Sequence, residues 1–365
     1  MKILVLATNY SRPDGFISLQ YIHTRNKLYV KKGIDVSVIS FAAKNDYELD
    51  GVKVYTPQTY KNKLKELRYD ILISHAPNLK NHYTFLKKYA KRFNNIIFFF
   101  HGHEVLMTSG IYPKPYDFNK RDYFISSKIR YLYDKLKLSV WRNYLQKIAY
   151  KSQFVFVSNW MYKMFIKYTK LNPDNIEDRK YVIYNCVGQY FENNNYEIDA
   201  DKEYDFITIR NNLDGSKYGI DIVTRIAENN PQYKFCVVGK GEFYKYNNKP
   251  NNLIWIDKNL SHEEIITYLN RSRCALMPTR ADAQGVMACE MATFGIPLIT
   301  SNIDVCKEVF EGFKNVAFID NDNEYIDIEP ILKKLESIGE IKKNEKYFAK
   351  NTVHKEIELF KTLKG

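Results

Sequence analysis

Asp282 and Glu290 stand eight positions apart around a glycine in the stretch Pro278-Thr-Arg-Ala-Asp282-Ala-Gln-Gly285-Val-Met-Ala-Cys-Glu290-Met-Ala-Thr-Phe-Gly295-Ile-Pro297. A helix opening near Val286 would turn the unpaired N–H groups of Gly285, Val286 and Met287 toward a ligand, which suits an anion the size of a diphosphate. Carboxylates beside such an anion repel it unless they grip neutral hydroxyls, and sugars and riboses present those. The chemistry this pattern could support is therefore the handling of a phosphorylated sugar or nucleotide.

Such a helix has to be positioned by a strand before it and a strand after it. The apolar run Cys274 to Met277 precedes the loop, and Pro297 to Thr300 follows the helix. In a doubly wound sheet this loop lies at the carboxyl edge, where ligands bind. The same alternation fills the chain. Lys2 to Ala7, Val36 to Ser40, Tyr69 to His75, Asn95 to Phe100, Ser152 to Asn159 and Tyr181 to Val187 read as strands of a first α/β domain, with a helix from Gly15 through Val30. Asp205 to Arg210, Tyr233 to Val238, Leu253 to Ile256 and a helix from His262 to Asn270 restart the pattern in a second domain. The polar run Glu192-Asn193-Asn194-Asn195, followed by Glu197 and Asp199, reads as the linker. The resulting boundaries are a first domain at 1–190, a linker at 191–203, a second domain at 204–345 and a closing helical segment at 346–365 that crosses back to the first domain.

Composition limits what these domains can be. The chain has 365 residues, 45% hydrophobic and 27% charged, with no apolar run long enough to cross a membrane. The opening Met1-Lys-Ile-Leu-Val-Leu-Ala7 is too short for a signal peptide, so a cytoplasmic protein is expected. Five cysteines form no Cys-x-x-Cys pair and read as small buried residues. His101-Gly-His103 is the closest approach to metal-ligand spacing and lacks a partner cluster, so no metal is expected. Gly239-Lys-Gly241 lacks the third glycine of a dinucleotide fingerprint, and no phosphate loop of the Gly-x4-Gly-Lys-Ser/Thr type occurs. The net charge of +13 points to an anionic partner, yet no nucleic-acid motif accompanies it, and lysine-rich composition alone accounts for it equally well.

Two local features remain. The strand at 95–100 ends abruptly in His101, which places a titratable ring at the same edge as Asn9 and His75. Residues 114 to 151 mix lysines and arginines with aromatic residues. Ile129, Leu132, Leu136, Val140, Leu145 and Ile148 keep helical spacing there. That segment reads either as ordinary surface helix or as a face for an anionic membrane.

The ordered set of motifs resembles the retaining glycosyltransferases of family 4, whose GT-B fold has two facing Rossmann-like domains with parallel sheets and a cleft between them. The resemblance rests on Asp282-x7-Glu290 with Gly285, Gly295 and Pro297, on Pro278-Thr279-Arg280, on Val182-Ile-Tyr-Asn185-Cys-Val187 and on Phe154-Val-Phe-Val-Ser158. It implies that Glu290 holds the ribose hydroxyls of a nucleotide and that Asp282, where the family has glutamate, holds the transferred sugar. Arg210 and Lys217 resemble the cations that bind the diphosphate, and Gly285, Val286 and Met287 would supply backbone N–H groups. His101 resembles a histidine facing the donor sugar, with His103 as its fallback.

The implied activity is a retaining, metal-independent hexosyl transfer without a cofactor. The donor is a nucleotide-diphosphate sugar, a UDP-sugar foremost. The acceptor is a saccharide or lipid-linked saccharide in cell-surface polysaccharide synthesis, handled at the inner face of the cell membrane. Two readings compete: a sugar-nucleotide epimerase of the same fold, and a non-catalytic scaffold at the membrane.

Overall fold

The computed structural model describes residues 1–119, 123–339 and 341–363. Lys120 and Arg121, counted above in the basic segment, lie outside the described residues. The chain divides into two compact units, one comprising Met1–Met107, Leu132–Cys186 and Phe348–Gly365, the other Thr108–Tyr131 and Val187–Tyr347.

The first unit is built on an eight-stranded sheet. Its strands are β1 (Lys2–Ala7), β2 (Asp35–Ser40), β3 (Tyr47–Leu49), β4 (Val52–Tyr55), β5 (Ile71–His75), β6 (Ile96–Phe100), β7 (Ser152–Phe156) and β8 (Lys180–Val182), in the order β3-β4-β2-β1-β5-β6-β7-β8. All neighbours are parallel except β3 and β4. The near-continuous apolar runs of β1 and β6 are buried on both faces, as central strands of a parallel sheet must be. The β3–β4 hairpin was not anticipated. Its turn is Asp50-Gly51, with φ of 51° and 77°, the left-handed pair that a two-residue hairpin turn demands.

The first helix runs over Gln20–Lys31 and so starts later than its apolar spacing suggested. Residues 12 to 16 form a loop instead, closed by a hydrogen bond from the Arg12 N–H to the Phe16 carbonyl. The closing helix, Val353–Thr362, packs within this unit. A fully buried ion pair ties it down: Arg25 Nε donates to Glu356 Oε1 at 2.9 Å, and the Tyr29 hydroxyl donates to Glu356 Oε2.

The second unit holds a six-stranded parallel sheet of β9 (Tyr204–Asn212), β10 (Phe235–Lys240), β11 (Leu253–Ile256), β12 (Ser272–Met277), β13 (Leu298–Ser301) and β14 (Val316–Ile319), ordered β11-β10-β9-β12-β13-β14. The helix Ile220–Asn229 buries Ile220, Val223, Ile226 and Ala227 against it. The helix His262–Asn270 opens with a capping box, Ser261 and Glu264 each satisfying the other's backbone.

Two segments depart from the sequence reading. Residues 108–131, placed in the first domain, group with the second unit. The cause is aromatic packing: Tyr116 meets Phe243 at 4.8 Å, and Phe118 stacks on Tyr246 at 4.9 Å between ring centroids. The linker is anchored to the second unit. It begins as the short helix Gln189–Asn193, and Tyr196 donates its hydroxyl to the Ser272 carbonyl at 2.7 Å.

The basic segment forms one helix, Tyr123–Ile148. Its apolar residues divide between two faces. Leu138, Trp141, Leu145 and Ile148 are buried, whereas Ile129, Leu132 and Leu136 are 62%, 66% and 61% exposed. All five cysteines are buried and free. Among the described residues no helix is long and apolar enough to cross a membrane.

Candidate active site

The helix Val286–Phe294 follows β12 as expected. Gly285 occupies the N-cap position with φ 73° and ψ 59°, a left-handed conformation that favours glycine. Among the described residues no side-chain cap bond closes this end and no acidic residue occupies the first turn, where the N–H groups of Val286 and Met287 lie at the positive end of the helix dipole. Gly295, at φ 108°, ends the helix and returns the chain to β13.

Asp282 lies in the preceding loop, half-buried. Its Oδ1 accepts the N–H groups of Ala283 at 2.7 Å and Gln284 at 3.3 Å, which shapes the loop before Gly285. Its Oδ2 lies beside Gly285, 3.6 Å from where a Cβ would stand. One carboxylate oxygen thus sets the backbone while the other adjoins the helix start.

Arg210, at the end of β9, is buried and donates from Nη2 to the Pro278 carbonyl at 2.8 Å, while its Nε has no partner among the described residues. Burial lowers its pKa and the Asp282 charge opposes that shift. Guanidinium remains charged under such conditions, so the site holds a desolvated cation with donor capacity to spare. The end of β9 that carries Arg210 is pressed against β10. A Cβ at Gly239 would lie 2.0 Å from the Arg210 carbonyl oxygen, which only glycine permits.

Lys217 is half-buried, with its ammonium 4.7 Å from the Tyr218 ring centroid and 5.1 Å from that of Tyr112. Its backbone carbonyl accepts from the Arg280 N–H at 2.7 Å and the Thr279 hydroxyl at 3.0 Å. Arg280 holds Asp221 through two bonds, of 2.8 and 2.6 Å, and the Ser216 carbonyl at 3.0 Å. The Tyr116 hydroxyl donates to the same carboxylate at 2.8 Å. Burial raises the Asp221 pKa and the Arg280 hydrogen bonds lower it, with a net downward shift. Arg280, Asp221, Tyr116, Tyr112 and Tyr218 received no role from the sequence. The Arg280–Asp221 contact joins residues far apart in the chain, and no motif spacing announces it.

Glu290 sits one turn into the helix, 6% exposed. Its Oε1 accepts the Gly188 N–H at 3.3 Å. Burial raises its pKa to about 7, opposed by that one hydrogen bond. A buried carboxylate with a single donor among the described residues keeps acceptor capacity for further hydroxyl donors. The His262 ring also lies beside Gly188, 3.4 Å from where a Cβ on that glycine would stand, another neighbour the sequence did not indicate.

Arg210, Lys217, Asp282, Gly285, Val286, Met287 and Glu290 all belong to the second unit, whereas His101 and its alternate His103 belong to the first. Within that unit Glu104 fixes the turn after β6 by accepting the N–H groups of His101 and Gly102. His101 Nε2 lies 3.0 Å from His75 Nδ1, one ring donating to the other. Burial, then the nearby Arg25 and His103 charges, push the His101 pKa well below its ordinary value, and burial does the same to His75. Both rings are therefore neutral near pH 7. His101 Nδ1 is buried without a partner among the described residues. His103 is exposed.

Comparison with known proteins places this arrangement. The structure resembles sucrose-phosphate synthase from Thermosynechococcus elongatus with a TM-score of 0.70 at 10% identity, covering 99% of this chain and 98% of that one. It resembles a glycosyltransferase from Rickettsia africae with a TM-score of 0.68 at 14% identity, covering 99% and 98%. It also resembles HepE from Anabaena, solved in complex with UDP and glucose, with a TM-score of 0.58 at 13% identity, covering 100% and 97%. Identities this low establish the fold, which is GT-B. No curated protein sequence matches the chain. Residues 199–354, which contain most of the site, match the family model described as glycosyl transferases group 1. That segment is less than half of the chain, and it resembles the group 1 glycosyltransferases.

Proposed function

We propose that the protein transfers a hexose, with retention of anomeric configuration, from a nucleotide-diphosphate sugar to a saccharide acceptor, a lipid-linked saccharide of cell-surface polysaccharide synthesis foremost. The observation that carries this reading is the convergence of an uncapped helix start at Gly285–Met287 with the cations Arg210 and Lys217 around one loop. Departure of a nucleoside diphosphate concentrates negative charge on its terminal phosphate. Preformed N–H dipoles and two cations stabilise that charge more in the transition state than in the ground state. No metal is needed in this scheme, because the cations do its electrostatic work.

Glu290 accepts the ribose hydroxyls, and Asp282 Oδ2 receives a hydroxyl of the transferred sugar. His101 presents a neutral ring to that sugar and orients it as positive charge develops at the anomeric carbon. In a front-face displacement the departing phosphate takes the acceptor proton, so no separate general base is required. A UDP-sugar is the first donor to test. Release of UDP from UDP-sugars should require Lys217, and a Lys217→Ala variant that releases UDP at the unaltered rate would overturn this assignment.

A peripheral position at the inner membrane face is supported by the exposed stripe Ile129, Leu132 and Leu136 on a helix that also exposes Lys128 and Lys135. Apolar residues with flanking lysines match the boundary of an anionic bilayer. Flotation with vesicles containing anionic lipid should carry the protein upward at low salt, and Leu132→Asp with Leu136→Asp should abolish it. Flotation unchanged in that double variant would remove the membrane from this account.

A further inference from the structure

Arg210 and Lys217, the two cations proposed for the diphosphate, share one aromatic ring. The Tyr218 ring centroid lies 5.2 Å from Arg210 Cζ and 4.7 Å from Lys217 Nζ, both within reach of a cation–π contact. Tyr218 ends the short helical turn Ser216–Tyr218, and its backbone N–H donates to the Gly215 carbonyl at 2.8 Å. A Cβ at Gly215 would stand 2.9 Å from Tyr218 Cδ2, so the ring lies against bare backbone and has little room to move on that side.

The proposed roles leave this ring unused. Arg210 reaches it from the end of β9 with its Nη2 fixed on the Pro278 carbonyl. Lys217 reaches it from the adjoining position, and the Tyr112 ring centroid lies 5.1 Å from the same ammonium. A lysine head group on a flexible four-carbon stem is poorly placed by itself, and a ring beside it narrows the choices. Two like charges gathered at one site also repel each other while no anion is bound. The negative π-density of a shared ring offsets part of that repulsion.

We propose that Tyr218 is a positioning residue for the diphosphate, its ring holding the Lys217 ammonium and the Arg210 guanidinium in place before the nucleotide arrives. This rests on the proposed nucleotide-sugar reading. Cations that are already placed lose less freedom when the anion binds, so removal of the ring weakens nucleotide binding. Both contacts are made by the ring rather than the hydroxyl, and phenylalanine keeps them.

Calorimetric titration of UDP into the parent, Tyr218→Phe and Tyr218→Leu tests the role. Tyr218→Phe should bind UDP within about 2-fold of the parent, and Tyr218→Leu about 3- to 10-fold more weakly, the worth of a partly desolvated cation–π contact. In a Lys217→Ala background the Tyr218→Leu loss should shrink, because the ring acts through that ammonium. An equal loss in both backgrounds, or Tyr218→Phe as weak as Tyr218→Leu, overturns the proposal. A second readout needs no ligand. In protein carrying 13C-labelled lysine, the Lys217 Cε protons, identified by their absence from Lys217→Ala, should be shifted upfield by ring currents. That shift should persist in Tyr218→Phe and shrink in Tyr218→Leu. Lys217 protons at the position of a solvated lysine in the parent overturn the proposal, whether or not Tyr218→Leu folds. If the parent binds UDP and Tyr218→Leu binds it equally well, the positioning role fails alone. If the parent does not bind UDP, the nucleotide-sugar reading fails and takes the role with it.

Discussion

Asp221 takes both terminal nitrogens of Arg280, at 2.8 and 2.6 Å, and Arg280 in turn holds the backbone of Ser216 and Lys217. The backbone that carries Lys217, the cation proposed for the diphosphate, is therefore held by an ion pair. Asp221→Asn weakens that pair while keeping the shape of the side chain. Since both partners are partly exposed, the loss in stability should be modest, about 1 kcal/mol or less. The donor KM should rise several-fold, with kcat affected less. Urea unfolding and donor titration of the variant together check this.

Arg210 and Lys217 should separate on replacement. Lys217→Ala should lower kcat by roughly 10²- to 10³-fold, the usual cost of removing a charge-stabilising donor, with little change in melting temperature. Arg210→Ala should lower both, because the buried guanidinium also satisfies the Pro278 carbonyl. Parallel melts and turnover assays decide the matter.

Glu290 should leave a signature in stability against pH. Its folded pKa is raised to about 7, above the ordinary carboxylate value, so the folded state holds a proton that the unfolded state has lost. Its contribution to stability is fully present below the unfolded pKa and is lost as pH rises through the folded one. Without nucleotide, Glu290→Gln should therefore gain stability relative to the parent between about pH 4.5 and 7 and hold that gain above it. Chemical denaturation at intervals across this range is the check.

The His75–His101 pair should act with the opposite slope. Both pKa values are pushed well below the ordinary histidine value by burial, so the unfolded chain takes up protons first as the solution is acidified. Stability from this pair should be complete above about pH 6.5 and decline below it. A His75→Gln, His101→Gln double variant should flatten that acid limb without altering the Glu290 effect. Denaturation between pH 5 and 7 resolves the two.

The sheets were legible because buried parallel strands announce themselves as apolar runs. Leu298 to Ser301 and Ile96 to Phe100 stand where the pattern put them. The hairpin at Tyr47–Tyr55 was missed although Asp50-Gly51 carries its turn signal, because its strands are short and partly exposed. The site was legible where it is local: Gly285, the helix start and Glu290 lie on one continuous stretch. What joins distant segments was not. Tyr116 to Asp221, Asp221 to Arg280 and Gly188 to Glu290 depend on the fold bringing chains together, as does the capture of residues 108–131 by aromatic packing against Phe243 and Tyr246. The basic helix showed its apolar positions in sequence, but which of them face outward is set by the packing of Trp141 and Leu145.

Isothermal titration with UDP, GDP and ADP, on the parent and on Glu290→Ala, tests the account most directly. UDP should bind, and Glu290→Ala should weaken it by roughly 10- to 100-fold, the worth of hydrogen bonds to an ionised group. No binding of any of the three nucleotides, or UDP affinity indifferent to Glu290→Ala, would contradict it.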